Sequence, residues 1–301
     1  MDFVIAGAAA VGAGFFTNPL EVLKTRMQLQ GELHAKGEYT VHYKNTIHAT
    51  YMIAKHDGIL SLQKGLSPAL WVQFILNGVR LGIYQTLENQ GYVLGKDGNT
   101  VFYKSVLAGG IGGVAGQIAC SPVFLVKTHL QTQSSESIAV GYQHKHQGMW
   151  QALKVISKEQ GFKGLFRGAG ASVPRAFVGS TSQLTSFKYS KEFLNKYEYF
   201  QGRPLLTSFC GSMVGGIAIS VMMTPFDLIM TRLYNQPVDA NGKGLLYSNY
   251  VDCVIKIFKT EGFSAFYKGV GPMYLRLGPH TVLCLVFWDE LKMLYDKFWP
   301  Q

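Results

Sequence analysis

Long apolar stretches alternate with polar loops along this chain, and the stretches come in pairs. The first, from Phe3 to about Gln28, carries small residues at Gly7, Ala10 and Gly14 and predicts a long helix. In the loop that follows, residues 45–56 show helical periodicity and predict a short helix, and a second long segment runs from Pro68 to about Gln90. The same pair returns at 102–131 with 171–193, and again at 205–233 with 272–295. At ~1.5 Å per residue, segments of this length can cross a hydrocarbon layer of about 30 Å with some tilt. None is purely apolar, which fits spans around a water-filled interior with their polar residues facing the axis. The expected fold is an all-α membrane protein with six transmembrane helices in three two-helix modules, both ends of the chain on one side.

The modules are true repeats. Pro19-Leu-Glu21-Val-Leu-Lys24 recurs as Pro122-Val-Phe124-Leu-Val-Lys127 and as Pro225-Phe-Asp227-Leu-Ile-Met230, at a constant interval, 122 − 19 = 225 − 122 = 103 residues. A second signature keeps the same period: Asp57-Gly58 to Lys64-Gly65, Gly161 to Arg167-Gly168, and Glu261-Gly262 to Lys268-Gly269. The expected repeat bounds are 1–100, 101–202 and 203–301. Gly112-xxx-Gly116 and Gly211-xxx-Gly215 have the small-residue spacing that lets membrane helices approach closely. The run from Gly109 to Gly116 loosely resembles a dinucleotide loop, but no strand precedes it, so helix packing is the better reading.

A proline within an apolar helix removes one backbone hydrogen bond and kinks it. The acid two residues beyond the proline and the base three beyond the acid then share one face of the bent segment. With these motifs the chain resembles the mitochondrial carrier family over its whole length. That family carries Pro-x-[Asp/Glu]-x-x-[Lys/Arg] three times, each followed by [Asp/Glu]-Gly-x4-aromatic-[Lys/Arg]-Gly. The resemblance implies a pseudo-threefold bundle with short helices on the matrix side, where the motifs close a ring of salt bridges between the first helices of the modules. Carried over by position, Glu21 pairs with Lys127 and Asp227 with Lys24, while Phe124 and Met230 replace both ends of the third bridge. Losing only one partner would strand a buried charge. Losing both predicts an apolar contact, with sulfur–aromatic character, in its place. Gln28 and Gln131 match the family's glutamine braces, and Tyr234 takes the third such position.

The family carries a second motif on the second helix of each module, closing the cytoplasmic side. Here it reads Tyr84-Gln85-x-x-Glu88, Phe187-Lys188-x-x-Lys191 and Trp288-Asp289-x-x-Lys292. The family's pairing sets Glu88 against Lys188, Lys191 against Asp289, and Lys292 against Gln85. Three arginines, Arg80, Arg175 and Arg276, lie near the middle of these helices, and Gln73, Asn77 and Arg80 form one polar stripe at i, i+4, i+7. A guanidinium in a membrane span needs water or a partner, and its fork binds carboxylates bidentately. With no acid evident nearby, the arginines predict a site for a small, doubly charged organic anion. Arg80-Leu-Gly-Ile-Tyr84 and Arg276-Leu-Gly-Pro-His-Thr-Val-Leu283 are similar to oxoglutarate and dicarboxylate carriers. Val72-Gln73, where those carriers have an arginine, points to oxaloacetate-like relatives. Uncoupling proteins share the first stretch, so a proton- or fatty-acid-coupled carrier is the alternative. The resemblance also implies cardiolipin bound at Gly65, Gly168 and Gly269, a monomer, and a multi-pass place in the mitochondrial inner membrane.

Composition narrows the classes further. The chain is 48% hydrophobic and 15% charged, with a mean hydropathy of +0.11, a charge content low for a soluble domain. The net charge of +10 is dispersed rather than gathered into the dense runs of a nucleic-acid patch, so no nucleic-acid partner is expected. Lys and Arg are about as dense in the short loops as in the long ones, so charge does not orient the bundle and the resemblance alone does. The opening at Phe3 lacks both a signal peptide's basic start and an Arg-rich presequence, so any organelle address is expected to be internal. Cys120, Cys210, Cys253 and Cys284 form no CxxC pair, and neither clustered His/Cys ligands nor a catalytic motif is evident. No metal, no cofactor and no enzyme activity are expected, and His280 reads as a packing or hydrogen-bonding residue. A soluble helical-repeat scaffold is the remaining class, but solenoid units are far shorter than these repeats.

Overall fold

A computed structural model of the chain describes residues 2–298 apart from 36, 96–98, 203 and 240–241. Among the described residues the regular elements are helices, joined by loops that hold two isolated β-bridges. The first repeat holds α1 (Asp2–Leu29), α2 (Thr46–His56) and α3 (Leu66–Asn89). The second holds α4 (Phe102–Ala119), α5 (Ser121–Thr132), α6 (Met149–Leu165) and α7 (Ala169–Leu194). The third holds α8 (Pro204–Asn235), α9 (Tyr250–Glu261) and α10 (Val270–Phe298). The long helices pack in chain order as a closed ring, with α1 against both α3 and α10. The first helices of the repeats (α1, α4–α5, α8) also meet one another through their second halves, whereas the second helices (α3, α7, α10) share no comparable interface.

The prolines act unequally. Helices α1 and α8 run through Pro19 and Pro225, but the helix predicted over 102–131 breaks at Cys120 and bends by 66°. Pro19 frees the carbonyl of Phe15, four residues back. The Gln63 side-chain amide donates to that carbonyl at 3.2 Å, which helps α1 stay continuous. In the second repeat the helix ends instead, and Pro122 sits in the first turn of α5, where a missing N–H costs nothing.

The short helices pack beneath the ring. Asn45 caps α2 and Asn249 caps α9, each side chain accepting a backbone N–H at 2.9 Å. Gly148, one repeat interval from Asn45, gives α6 no such cap. Their apolar faces close two cores on the long-loop side, one around Val22, Ile53 and Ile138, the other around Leu125, Leu228 and Ile257.

The expectation of six spans is met only in part by composition. Among the described residues, Ile59–Asn89 and Phe209–Asn235 are long and apolar enough to cross a membrane, and the bent pair α4–α5 qualifies if taken as one span. The remaining long helices are diluted by the polar residues singled out above: Glu21 and Lys24 in α1, Arg175 and Lys188 in α7, Arg276 and Asp289 in α10.

Small residues set the closest helix contact. A Cβ on Gly112 would lie 2.8 Å from the carbonyl oxygen of Arg80, and one on Gly116 would lie 2.9 Å from that of Leu76. Backbone thus meets backbone between α4 and α3, and neither side can move aside as a side chain would. Gly112→Ala should therefore cost about 1–3 kcal/mol by overpacking. Gly170→Ala, at a helical position with open space around it, should not destabilise the fold. Thermal unfolding of the purified protein in detergent checks the pair.

Candidate functional site

Where the first helices converge, two buried carboxylates organise the contacts. Glu21 accepts from Lys127 Nζ at 2.6 Å and Asp227 from Lys24 Nζ at 2.6 Å, the two pairings that the family resemblance implies. Both glutamines brace them as expected. Gln131 Nε2 reaches Glu21 at 3.4 Å and Asn18 Oδ1 at 3.1 Å, while Gln28 Nε2 reaches Asp227 at 3.0 Å. The threonines Thr25 and Thr231 donate to the opposite end of each amide, at 3.1 and 2.9 Å, and so fix its orientation.

At the third position Phe124 and Met230 are both buried in one apolar cluster. The ring that Phe124 meets belongs to Tyr234, centroids 5.3 Å apart, and the Tyr234 hydroxyl bonds Ser121 at 2.9 Å. Phe124 also faces two cations, with Lys127 Nζ 5.1 Å and Arg175 Cζ 5.8 Å from its centroid. An aromatic face attracts a cation, so the ring supplies part of what the missing acid would have supplied.

The arginines correct the expectation of a site with no acid nearby. Arg175 Nε lies 2.7 Å from Asp227, and Arg276 Nη1 lies 2.5 Å from Glu21. A guanidinium stem is long enough to reach the carboxylates from α7 and α10, which sequence distance alone does not reveal. Lys24, Lys127, Arg175 and Arg276 thus surround Glu21 and Asp227, four cations against two anions, an excess of two positive charges. Gln117 accepts from Arg175 at 3.3 Å, and Gln117 Nε2 and Arg276 Nε are buried donors without a protein partner. Arg80 stands apart, with Gln183 at 3.4 Å, and Asn77 turns back to the carbonyl of Gln73 at 2.9 Å. His280 hydrogen-bonds Thr17 at 3.1 Å.

The pairs predicted for the other end do not form here. None of Glu88–Lys188, Lys191–Asp289 and Lys292–Gln85 makes an ion pair or hydrogen bond among the described residues. Lys188 instead sits 3.8 Å from Glu192 and 4.0 Å over the ring of Phe102. The helices carrying these residues share no close interface, and Gln85, Asp289 and Lys292 are exposed. The bundle is therefore open at this end and closed at the long-loop end.

A second layer below the ion pairs escaped the sequence reading. Arg26 Nε donates to the carbonyl of Gln131, His129 Nε2 to that of Tyr234, and Arg232 Nε to that of Gln28, at 3.3, 2.9 and 3.3 Å. The donors keep the proline interval, 129 − 26 = 232 − 129 = 103, which is the signal that would have found them. Arg26 is locked by Asp57 at 2.7 Å and Arg232 by Glu261, whereas the second repeat has His129 and Gln160 at the equivalent places. Burial alone would raise the Asp57 carboxyl, but hydrogen bonds from Ser135 and Arg26 hold it below the usual range. Gly65, Gly168 and Gly269 adopt left-handed φ of 69°, 81° and 84° and pack against the braces Gln131, Tyr234 and Gln28.

The expectation of no clustered histidines is also overturned. The loop after α5 carries His144 and His146 back to His129, placing one ligand nitrogen from each within 4.8 Å of the others. Burial lowers the His144 imidazole to about 4 and lowers that of His146 as well, so both are neutral near pH 7.

A closed ring of long helices in three repeats, sealed at one end around buried ion pairs and open at the other, is the architecture of a membrane carrier. The family model for mitochondrial carrier proteins matches three times, over residues 1–91, 98–198 and 201–298, and the chain belongs to that family. It is accordingly a transporter and a multi-pass protein of the mitochondrial inner membrane. It is 50% identical to solute carrier family 25 member 35 of Mus musculus over 298 residues, 99% of each chain. It is 40% identical to the mitochondrial oxaloacetate transport protein of Saccharomyces cerevisiae over 301 residues, 98% of this chain and 90% of that one. To the mitochondrial citrate transporter E of Aspergillus niger it is 36% identical over 309 residues, 98% of this chain and 95% of the relative.

The third pairing position can be tested by restoring charge. Met230→Lys alone buries an unpaired ammonium among apolar side chains and should lower thermal stability markedly. Adding Phe124→Asp should recover much of the loss, with a coupling energy of about 1 kcal/mol or more in a double-mutant cycle. Additive effects would mean that these two positions do not face each other as bridge partners.

Proposed function

We propose that the protein exchanges small organic dianions, dicarboxylates or keto acids of the oxaloacetate, malate and malonate type or sulfate-like anions, across the mitochondrial inner membrane. The observation that carries this reading is the ion-pair cluster. Its two surplus positive charges match a dianion, and its two arginines already bind carboxylates. A substrate entering from the open end meets Arg80 with Gln73 and Asn77, then Arg175 and Arg276. Its carboxylates replace Asp227 and Glu21 on those guanidinium groups, one charge-assisted contact for another of the same kind. Each protein carboxylate is then left with its lysine and glutamine only. Buried ion pairs repay little beyond their desolvation, so losing one partner loosens the closed end. The unpartnered donors Arg276 Nε and Gln117 Nε2 can hold the substrate's remaining oxygens.

On this reading Glu21, Lys24, Phe124, Lys127, Asp227 and Met230, with Gln28 and Gln131, form the matrix gate on the first helices of the three repeats, which carry Pro19, Pro122 and Pro225, within a bundle of six spans. Gln85, Glu88, Lys188, Lys191, Asp289 and Lys292 form the cytoplasmic gate and pair only after the matrix gate opens. Relatives named as oxaloacetate and citrate transporters support an anionic cargo. The left-handed glycines, at or beside the N-termini of α3, α7 and α10, support cardiolipin headgroups there, since free amides at a helix start attract phosphate. The working unit is a monomer, because the ring of helices closes within one chain.

Purified protein in liposomes, preloaded with one anion and presented with another, tests the cargo. Exchange of dicarboxylates is expected. Uptake of nucleotides or cationic amino acids, without carboxylates, would overturn the reading. Arg175→Ala and Arg276→Ala should each slow exchange by about 10- to 100-fold, the worth of one hydrogen bond to a charged group. Charge exchange between Glu88 and Lys188 examines the other gate: each single reversal should impair transport and the double reversal should restore it, whereas additive losses would remove the pairing.

A further inference from the structure

We propose that His129, His144 and His146 form a binding site for a divalent transition-metal ion of the zinc class, on the long-loop side below the ion-pair ring. Imidazole nitrogen is a ligand of choice for such ions, and three histidines with an open fourth position are an established coordination set.

The hydrogen bonds settle which nitrogens are offered. His129 Nε2 is 2.9 Å from the carbonyl oxygen of Tyr234, and His144 Nε2 is 3.0 Å from that of Asn235. A carbonyl only accepts, so both Nε2 atoms carry the proton and both Nδ1 atoms present a lone pair. Histidine ligands usually donate their other ring N–H to a carbonyl or carboxylate in this way, which fixes tautomer and ring orientation. Here consecutive carbonyls at the C-terminal end of α8 do so for two rings. The third ring, His146, donates its Nε2–H to His129 Nδ1 at 3.4 Å, and a metal takes the place of that proton, with His146 moving its proton to Nδ1. Two nitrogens each ~2.0–2.1 Å from a tetrahedral zinc stand about 3.3–3.4 Å apart. The rings are stacked, His129 and His144 with centroids 3.4 Å apart and planes at 9°, so metal entry fans them apart. Arg167, close enough to act electrostatically on His129 and His144, opposes a cation and limits the affinity.

The position gives the site a structural task. In the first and third repeats the donor beneath the ring is an arginine locked by an acid, Arg26 by Asp57 and Arg232 by Glu261. The second repeat has His129 and Gln160 there, and so no charge to lock. A metal on the three imidazoles clasps α5 to its own following loop and, through Tyr234 and Asn235, to α8. It replaces by coordination the crosslink that the other repeats make by charge.

The test uses the full-length protein in detergent, stripped with a chelator and titrated with Zn²⁺ by equilibrium dialysis and by thermal unfolding. The structure calls for one zinc per chain, with a rise in unfolding temperature. Because His129 is buried and holds the Tyr234 carbonyl, the informative variants are His144→Asn and His146→Asn on the loop. Each should weaken zinc binding by about ten-fold or more and remove the zinc-dependent rise, with the metal-free unfolding temperature little changed for His146→Asn. Co²⁺ in place of zinc should give visible bands of a tetrahedral nitrogen site in the parent protein and not in the double variant. Absence of zinc binding by the parent protein, or equal zinc stabilisation of the double variant, would overturn the site. Both readouts are independent of transport, so failure here leaves the proposed cargo standing, and the reverse.

Discussion

Two carboxylates buried where three helices converge constrain the rest of this molecule. Out of water, a carboxylate is tolerated only if its oxygens are filled with good partners. Glu21 draws them from α5 and α10, through Lys127, Gln131 and Arg276. Asp227 draws them from α1 and α7, through Lys24, Gln28 and Arg175. Satisfying two small groups therefore fixes the placement of five long helices. Helices α3 and α4 are positioned otherwise, by their close backbone approach at Gly112 and Gly116 and by the packing of α3 on α1 and of α4 on α7. The same satisfaction makes the closed end responsive. Each acid is held by several partners of similar kind, and a ligand that can stand in for the acid on one partner changes the balance without leaving a bare charge.

The sequence carried much of this because the repeat preserves positions even where it changes residues. The interval that relates the prolines also relates Glu21 to Phe124 and Asp227, and the resemblance to the carrier family implied which position pairs with which, so the two ionic pairings and the substituted third could be expected before any coordinates. The arginine contacts to the same acids could not, since reach from α7 or α10 down to the ring depends on helix tilt and side-chain extension. The layer of Arg26, His129 and Arg232 keeps the interval and was legible in principle, but without a flanking proline nothing marked it. His144 and His146 were not legible at all, because only the path of a loop returns them to His129. The pairs expected at the opposite end, such as Glu88 with Lys188, are a different case. They are compatible with the sequence, and on the proposed reading they form only when that end is shut, so a structure open at that end does not display them.

The three seams between the first helices are chemically unequal. The seam of α1 with α5 has Glu21, Lys127 and Gln131 above, and Arg26 locked by Asp57 below. The seam of α8 with α1 matches it with Asp227, Lys24, Gln28, Arg232 and Glu261. The seam of α5 with α8 has Phe124, Met230 and Tyr234 above and His129 below, with no ion pair between the two helices among the described residues. The acid and the base of that seam are both replaced by apolar residues and its glutamine brace by Tyr234, while Lys127 and Arg175, engaged by the two acids, lie over the Phe124 ring. This is the pattern expected if a stranded partner is the costly outcome and a fully apolar contact is not.

A seam without an ion pair behaves differently from its neighbours when the balance of charge shifts. Buried ion pairs weaken as a competing anion arrives, and they weaken together if they share a cluster of cations. Apolar contact does neither. On the proposed reading, an anion that loosens Glu21 and Asp227 acts on two seams directly and leaves the third to be opened by the movement of the helices themselves. The energy of closing that seam is then independent of the cargo. The resting closure at the long-loop end thus keeps one fixed component, set by Phe124, Met230 and Tyr234, beneath a variable one set by whatever occupies Arg175 and Arg276.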